Sequence, residues 1–112
     1  MKHMSLRKLA IVTVESMREM LKITKNVKIK LIISSKVDAW GYCDMVDDNQ
    51  YVVCVAREHD SMRDFISTIC HEMVHVWQWS TNSWEGDGED EARNLEYVYA
   101  DMIIQKKKIS AK

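Results

Sequence analysis

The sequence predicts an α+β fold in which an N-terminal helix precedes a small three-stranded sheet, and two further helices follow. Three observations predict it. Apolar residues recur at three- and four-residue steps in residues 5–22, 61–79 and 89–106, the spacing of one helix face. Residues 27–33 alternate instead, with Val27, Ile29, Leu31 and Ile33 on one side and Lys28 and Lys30 on the other, as in a half-buried strand. Residues 40–45 and 51–56 flank the polar stretch VDDNQ and read as two strands of a hairpin. At 112 residues, residues 1–112 form a single domain with a modest core and are too few for two.

Each element carries its own local reasons. Ser5 can cap the first helix, whose face is Leu6, Leu9, Ala10, Thr13, Met17, Met20 and Leu21, and Thr24-Lys25-Asn26 ends it. The second hairpin strand, YVVCVA, is rich in β-branched residues and suits a sheet. Asp60 or Ser61 can cap the next helix, with Phe65, Ile66, Ile69, Cys70, Met73, Val74 and Trp77 as a wide apolar face. Residues 81–88 hold two of the three glycines and make a turn. The last helix is expected to bury Ala92, Leu95, Val98, Tyr99, Met102 and Ile103. Its end, Lys106-Lys107-Lys108, suits the negative pole of the helix dipole.

Composition narrows the function classes. Hydrophobic residues are 46%, charged residues 29% and the formal net charge is −1, so no basic surface points to nucleic acid. No apolar run approaches the ~18 residues of a membrane span, and the N-terminus has no signal-like stretch. The expectation is a cytoplasmic protein whose Cys43, Cys54 and Cys70 are reduced, buried thiols. The opening Met1-Lys2-His3-Met4 has the character of an added leader, and His3 is given no role.

The chemistry lies in residues 69–79, ICHEMVHVWQW. Their centre is an HExxH pattern, a zinc-hydrolase signature when it sits on a helix. By the helix period, His71 and His75 lie about 40° apart on the surface, so both rings can meet one ion. Glu72 can reach a water at that ion without being a ligand, as hydrolysis requires. Both histidines interrupt apolar runs, and polar groups so placed need partners.

A catalytic zinc site usually takes a third protein ligand. No histidine follows His75, so the candidates are Glu85, Glu89, Glu91, Glu96 and nearby aspartates. Glu91 shares a stripe with Leu95, Val98 and Met102, about 40° from the centre of the expected apolar face, whereas Glu89 and Glu96 fall about 100° away. The metal ligands read from the sequence are thus His71, His75 and Glu91, with Glu96 as the alternative to Glu91.

On these residues the chain resembles a minimal zincin of the gluzincin kind. The HEMVH helix is followed by a helix bearing a glutamate, and EDEAR at residues 89–93 is similar to a segment of the compact ImmA/IrrE metallopeptidases. Order and size are similar to the stand-alone minigluzincins. HEMVHVW also resembles SprT-like proteases, but those use a third histidine that this chain lacks. The resemblance implies a zincin-like fold and a Zn2+-dependent peptidase, an endopeptidase rather than an exopeptidase. It would cleave peptide or protein substrates by attack of metal-bound water, with Glu72 as general base. It also implies a sheet edge that pairs with extended substrate, assigned to Tyr51, Val52, Val53, Cys54, Val55 and Ala56. Gluzincins often carry an aspartate four residues after the ligand glutamate to orient the first histidine. Position 95 is leucine, leaving Asp101 or Asp87 for that role.

Tyr97, Tyr99, Arg93 and His59 are candidates for stabilising an oxyanion. Of Trp40, Trp77, Trp79 and Trp84, Trp77 and Trp79 lie on different sides of their helix, as for core plus one exposed aromatic; an aromatic cleft wall is the alternative. The rival functional class is a non-enzymatic zinc-binding module that recognises a partner through its sheet edge.

Overall fold

A computed structural model describes residues 4–83 and 86–109; His3, Trp84 and Glu85 lie outside the described residues. The order is α1 (Leu6–Met20), β1 (Lys28–Ser34), β2 (Gly41–Asp47), β3 (Gln50–Ala56), α2 (Met62–Thr81) and α3 (Glu89–Lys107). This is the expected α+β arrangement of three helices and one three-stranded sheet.

Local chemistry explains the boundaries. The Ser5 hydroxyl accepts from the Lys8 amide and opens α1, an N-cap satisfying one of the free helix N–H groups. Lys22 takes φ 55° and ends the helix earlier than the apolar spacing suggests. Arg18 then donates to the carbonyls of Thr24 and Val27, tying the turn back to α1. At α2, the Ser61 hydroxyl accepts from the Asp64 amide and donates to the Asp64 carboxylate, an N-cap held by the side chain of the residue it caps. Asn82 at φ 56° closes α2.

The sheet order is β1-β3-β2, with β1 parallel and β2 antiparallel to β3. The expected hairpin is therefore present, with a tighter turn: Asn49 takes φ 56° and the register slips between Met45 and Asp47. The expected role of β3 as a free edge is corrected. Tyr51, Val52, Val53, Cys54, Val55 and Ala56 are hydrogen-bonded to strands on both sides. The apolar run YVVCVA marks a strand that is largely buried, and its second partner, β1, comes from outside the hairpin. Beside it, β2 is exposed at all but two positions and has no second partner strand among the described residues.

The core lies where α1 and α2 meet the sheet, around Leu9, Met17, Val53, Val55, Phe65 and Ile69. Cys43, Cys54 and Cys70 are buried and free. On α3, Ala92, Ala100 and Ile103 are buried and Leu95 and Tyr99 pack beside them. Val98 and Met102, expected in the core, are exposed. The inward face thus runs through 92, 96, 99, 100 and 103, fully buried at Ala92, Ala100 and Ile103, and Glu89, three residues before Ala92 and seven before Glu96, falls in line with it. Among the described residues no helix is long and apolar enough to cross a membrane.

Gly41 sets how closely the edge strand approaches α2. A Cβ there would lie 2.7 Å from Thr68 Cγ2 and 2.9 Å from the Cys54 carbonyl oxygen, distances that require something to move. Gly41→Ala should therefore destabilise the fold by about 1–3 kcal/mol, the usual cost of overpacking. Urea denaturation measures this, and an unchanged midpoint would mean that β2 has room to shift.

Candidate metal centre

α2 delivers His71, Glu72 and His75 from consecutive turns, and the first turn of α3 delivers Glu89. Ligand atoms of His71, His75 and Glu89 all lie within 4.8 Å of one another. His71 Nε2 is 2.9 Å from Glu89 Oε1, and His75 Nε2 is 2.9 Å from Glu89 Oε2. The third candidate is therefore Glu89, and the sequence-based choice of Glu91 is corrected. Glu91 is exposed, and its Oε1 accepts from Gln78 Nε2 at 2.8 Å. The physical cause is the phase of α3: once Val98 and Met102 face solvent, the stripe that carries Glu91 does too.

Glu96 does not join the cluster as a ligand. Its Oε1 lies 2.9 Å from His71 Nδ1, the position from which a carboxylate orients a metal-binding imidazole. Neither aspartate proposed for that role fills it. Asp101 accepts two hydrogen bonds from Arg63, at 2.7 and 3.0 Å, and Asp87 accepts from the Glu89 amide at the start of α3. The i, i+7 spacing of Glu89 and Glu96 was the available signal for both roles. Gln78 was missed altogether, because a glutamine three residues after the second histidine has no distinctive pattern.

The arrangement suits a cation. A carboxylate only accepts hydrogen bonds, so His71 Nδ1 donates to Glu96 and leaves a lone pair on Nε2. That lone pair and the Nε2 of His75, a buried atom without a hydrogen-bond partner, face the two oxygens of Glu89. Acceptors at 2.9 Å repel unless a proton or a metal ion lies between them. Protons alone would make imidazolium ions of two rings only 4.9 Å apart, whereas one divalent ion satisfies all the groups together.

Glu72 is 7% exposed, and burial pushes its carboxyl up to about 7, with His71 opposing and Glu89 and Glu96 adding to the rise. It lines a cleft of ≈ 720 Å³ together with His71, Glu89, Gly41, Trp40, Arg93 and Tyr97. Trp40 is thus the aromatic wall, while Trp77 and Trp79 pack against the core and Trp79 stacks on His75 at 5.6 Å. Of the four oxyanion candidates, Arg93 and Tyr97 line this cleft. The Tyr97 hydroxyl is engaged, donating to Asp64 Oδ1 at 2.5 Å, and this bond holds the Asp64 carboxyl below its ordinary value. His59 lines a smaller adjoining cavity of ≈ 200 Å³; Tyr99 packs on the core.

Comparison with models of known protein families, with curated proteins and with solved structures gave no match to this chain.

Proposed function

We propose that the chain is a zinc-dependent peptidase of the minimal gluzincin kind, its metal held by His71, His75 and Glu89 rather than by Glu91. One observation carries the proposal: the unpartnered nitrogen of His75 and the Nε2 of His71 converge on one carboxylate, with a buried glutamate beside them in an open cleft. A zinc ion there supplies Lewis acidity towards a carbonyl oxygen and lowers the pKa of a water it binds. The remaining work belongs to side chains of this chain. Glu72 accepts the proton of the attacking water and returns it to the departing amine. Arg93, the cationic donor lining the cleft, is the candidate for holding the carbonyl oxygen as charge develops on it. An extended peptide would add to the outer edge of β2, which begins at the cleft, rather than to β3.

The test is to load the purified protein with zinc, measure metal by elemental analysis, and follow an unstructured protein substrate by mass spectrometry. One zinc per chain and new peptide termini, both removed by a chelator, are expected. Protein that takes up no zinc, or that holds zinc without producing termini from any substrate, would count against the peptidase.

A further inference from the structure

Gln78 is completely buried in a protein whose other buried polar groups mostly serve the centre or the local helix. Its amide is fully committed. Nε2 donates to the Gly88 carbonyl at 3.0 Å and to Glu91 Oε1 at 2.8 Å. Both partners can only accept, so they fix which end of the amide is nitrogen. Oε1 must then face His75 Nδ1, 2.8 Å away, and that ring nitrogen must carry the proton. The tautomer of His75 is thereby set with its Nε2 lone pair towards Glu89.

The same amide acts on the other side of the centre. Gly88 is the residue before Glu89, at φ 78°, and a Cβ there would meet Gln78 Oε1 at 2.3 Å. The backbone that starts α3 is thus packed directly on the Gln78 amide and hydrogen-bonded to it.

From this geometry we infer that Gln78, held by Glu91, is a positioning residue for two ligands at once: it fixes the protonation of His75 and anchors the turn that presents Glu89. The inference rests on the metal-site assignment above and gives Glu91 a role without making it a ligand. Partners of this kind typically change metal affinity 10–100-fold. Loss of a single amide would therefore act on the centre through the ring of His75 and the backbone at Gly88 together.

The experiment uses Gln78→Leu and Glu91→Leu in the full chain, with circular dichroism as the control for folding. Zinc affinity is read by competition with a chromogenic chelator. The tautomer of His75 is read in metal-free protein from its ring ¹⁵N shifts, which do not depend on activity. Wild type should show the proton on Nδ1. Gln78→Leu should weaken zinc about 10–100-fold and abolish that single-tautomer signature. Glu91 is exposed, so Glu91→Leu carries little risk to the fold and should shift both readouts the same way by less. Wild-type affinity together with an unchanged His75 tautomer in either folded variant would overturn the inference; if Gln78→Leu does not fold, Glu91→Leu alone decides. Should wild type bind no zinc, the metal assignment fails separately, and a proton found on His75 Nε2 would overturn the positioning role as well.

Discussion

Glu72→Gln should remove peptide hydrolysis while leaving one zinc per chain. Glutamine keeps the shape of the buried side chain but cannot take a proton from water, and a positioned general base is worth about 10²–10⁴-fold in rate. Metal content should be unchanged because Glu72 is not among the three groups that converge at the site. Turnover retained by this variant would remove Glu72 from the role of base, whereas zinc binding with no turnover even in wild type would favour the zinc-binding module, for which a base at position 72 has no use. The same variant has a second signature in metal-free protein. The Glu72 carboxyl ordinarily titrates at 4.5 and is pushed up to about 7 by burial. Because its folded value is raised, its contribution to stability is fully present below about 4.5 and lost as pH rises through about 7. Metal-free wild type should therefore weaken relative to Glu72→Gln between pH 5 and pH 8, by up to about 3 kcal/mol. Urea midpoints at the two pH values measure this, and parallel behaviour of both proteins would contradict the buried-acid assignment.

Glu89→Ala should be the most damaging change for metal binding. It removes the one carboxylate that both imidazoles face at 2.9 Å, leaving two nitrogen ligands and no negative charge in the cluster. Zinc should no longer co-purify, and titration should give an affinity at least about 100-fold below wild type, beyond the range expected for an outer partner. Glu91→Ala, in contrast, should keep one zinc per chain with a modestly weaker affinity, since it touches the centre only through Gln78. Elemental analysis of the two variants, purified side by side, separates them. If Glu91→Ala loses the metal and Glu89→Ala keeps it, the ligand assignment is reversed.

The contrast between those two glutamates also shows what the sequence could reveal. His71, Glu72 and His75 were legible because their spacing forces them onto neighbouring turns of any helix that contains them. The three helices and β1 were legible from period, and the hairpin strands from the polar turn between them and the β-branched run of β3. The third candidate ligand was not, because α3 buries two small alanines and exposes Val98 and Met102. Side-chain hydrophobicity therefore pointed to the wrong face, and only packing against α2 fixes the rotation. Strand order failed for a related reason: hairpin chemistry specifies that β2 pairs with β3, but the parallel partner β1 is chosen by the whole core. The polar partners Glu96 and Gln78 depend on distances between α2 and α3 that no local pattern encodes.

All three candidate ligands fall between residues 71 and 89, on two helices joined by one short connection. The closure entropy that a metal ion must overcome to gather them is correspondingly small and grows only slowly with loop length. Among the described residues, neither α1 nor any strand contributes to the candidate cluster. If the proposed activity holds, chemistry and recognition would be carried by separate parts of the chain: the helical pair would hold the centre, and the exposed outer positions of β2 could vary, and with them the sequences accepted, without altering a single candidate donor atom.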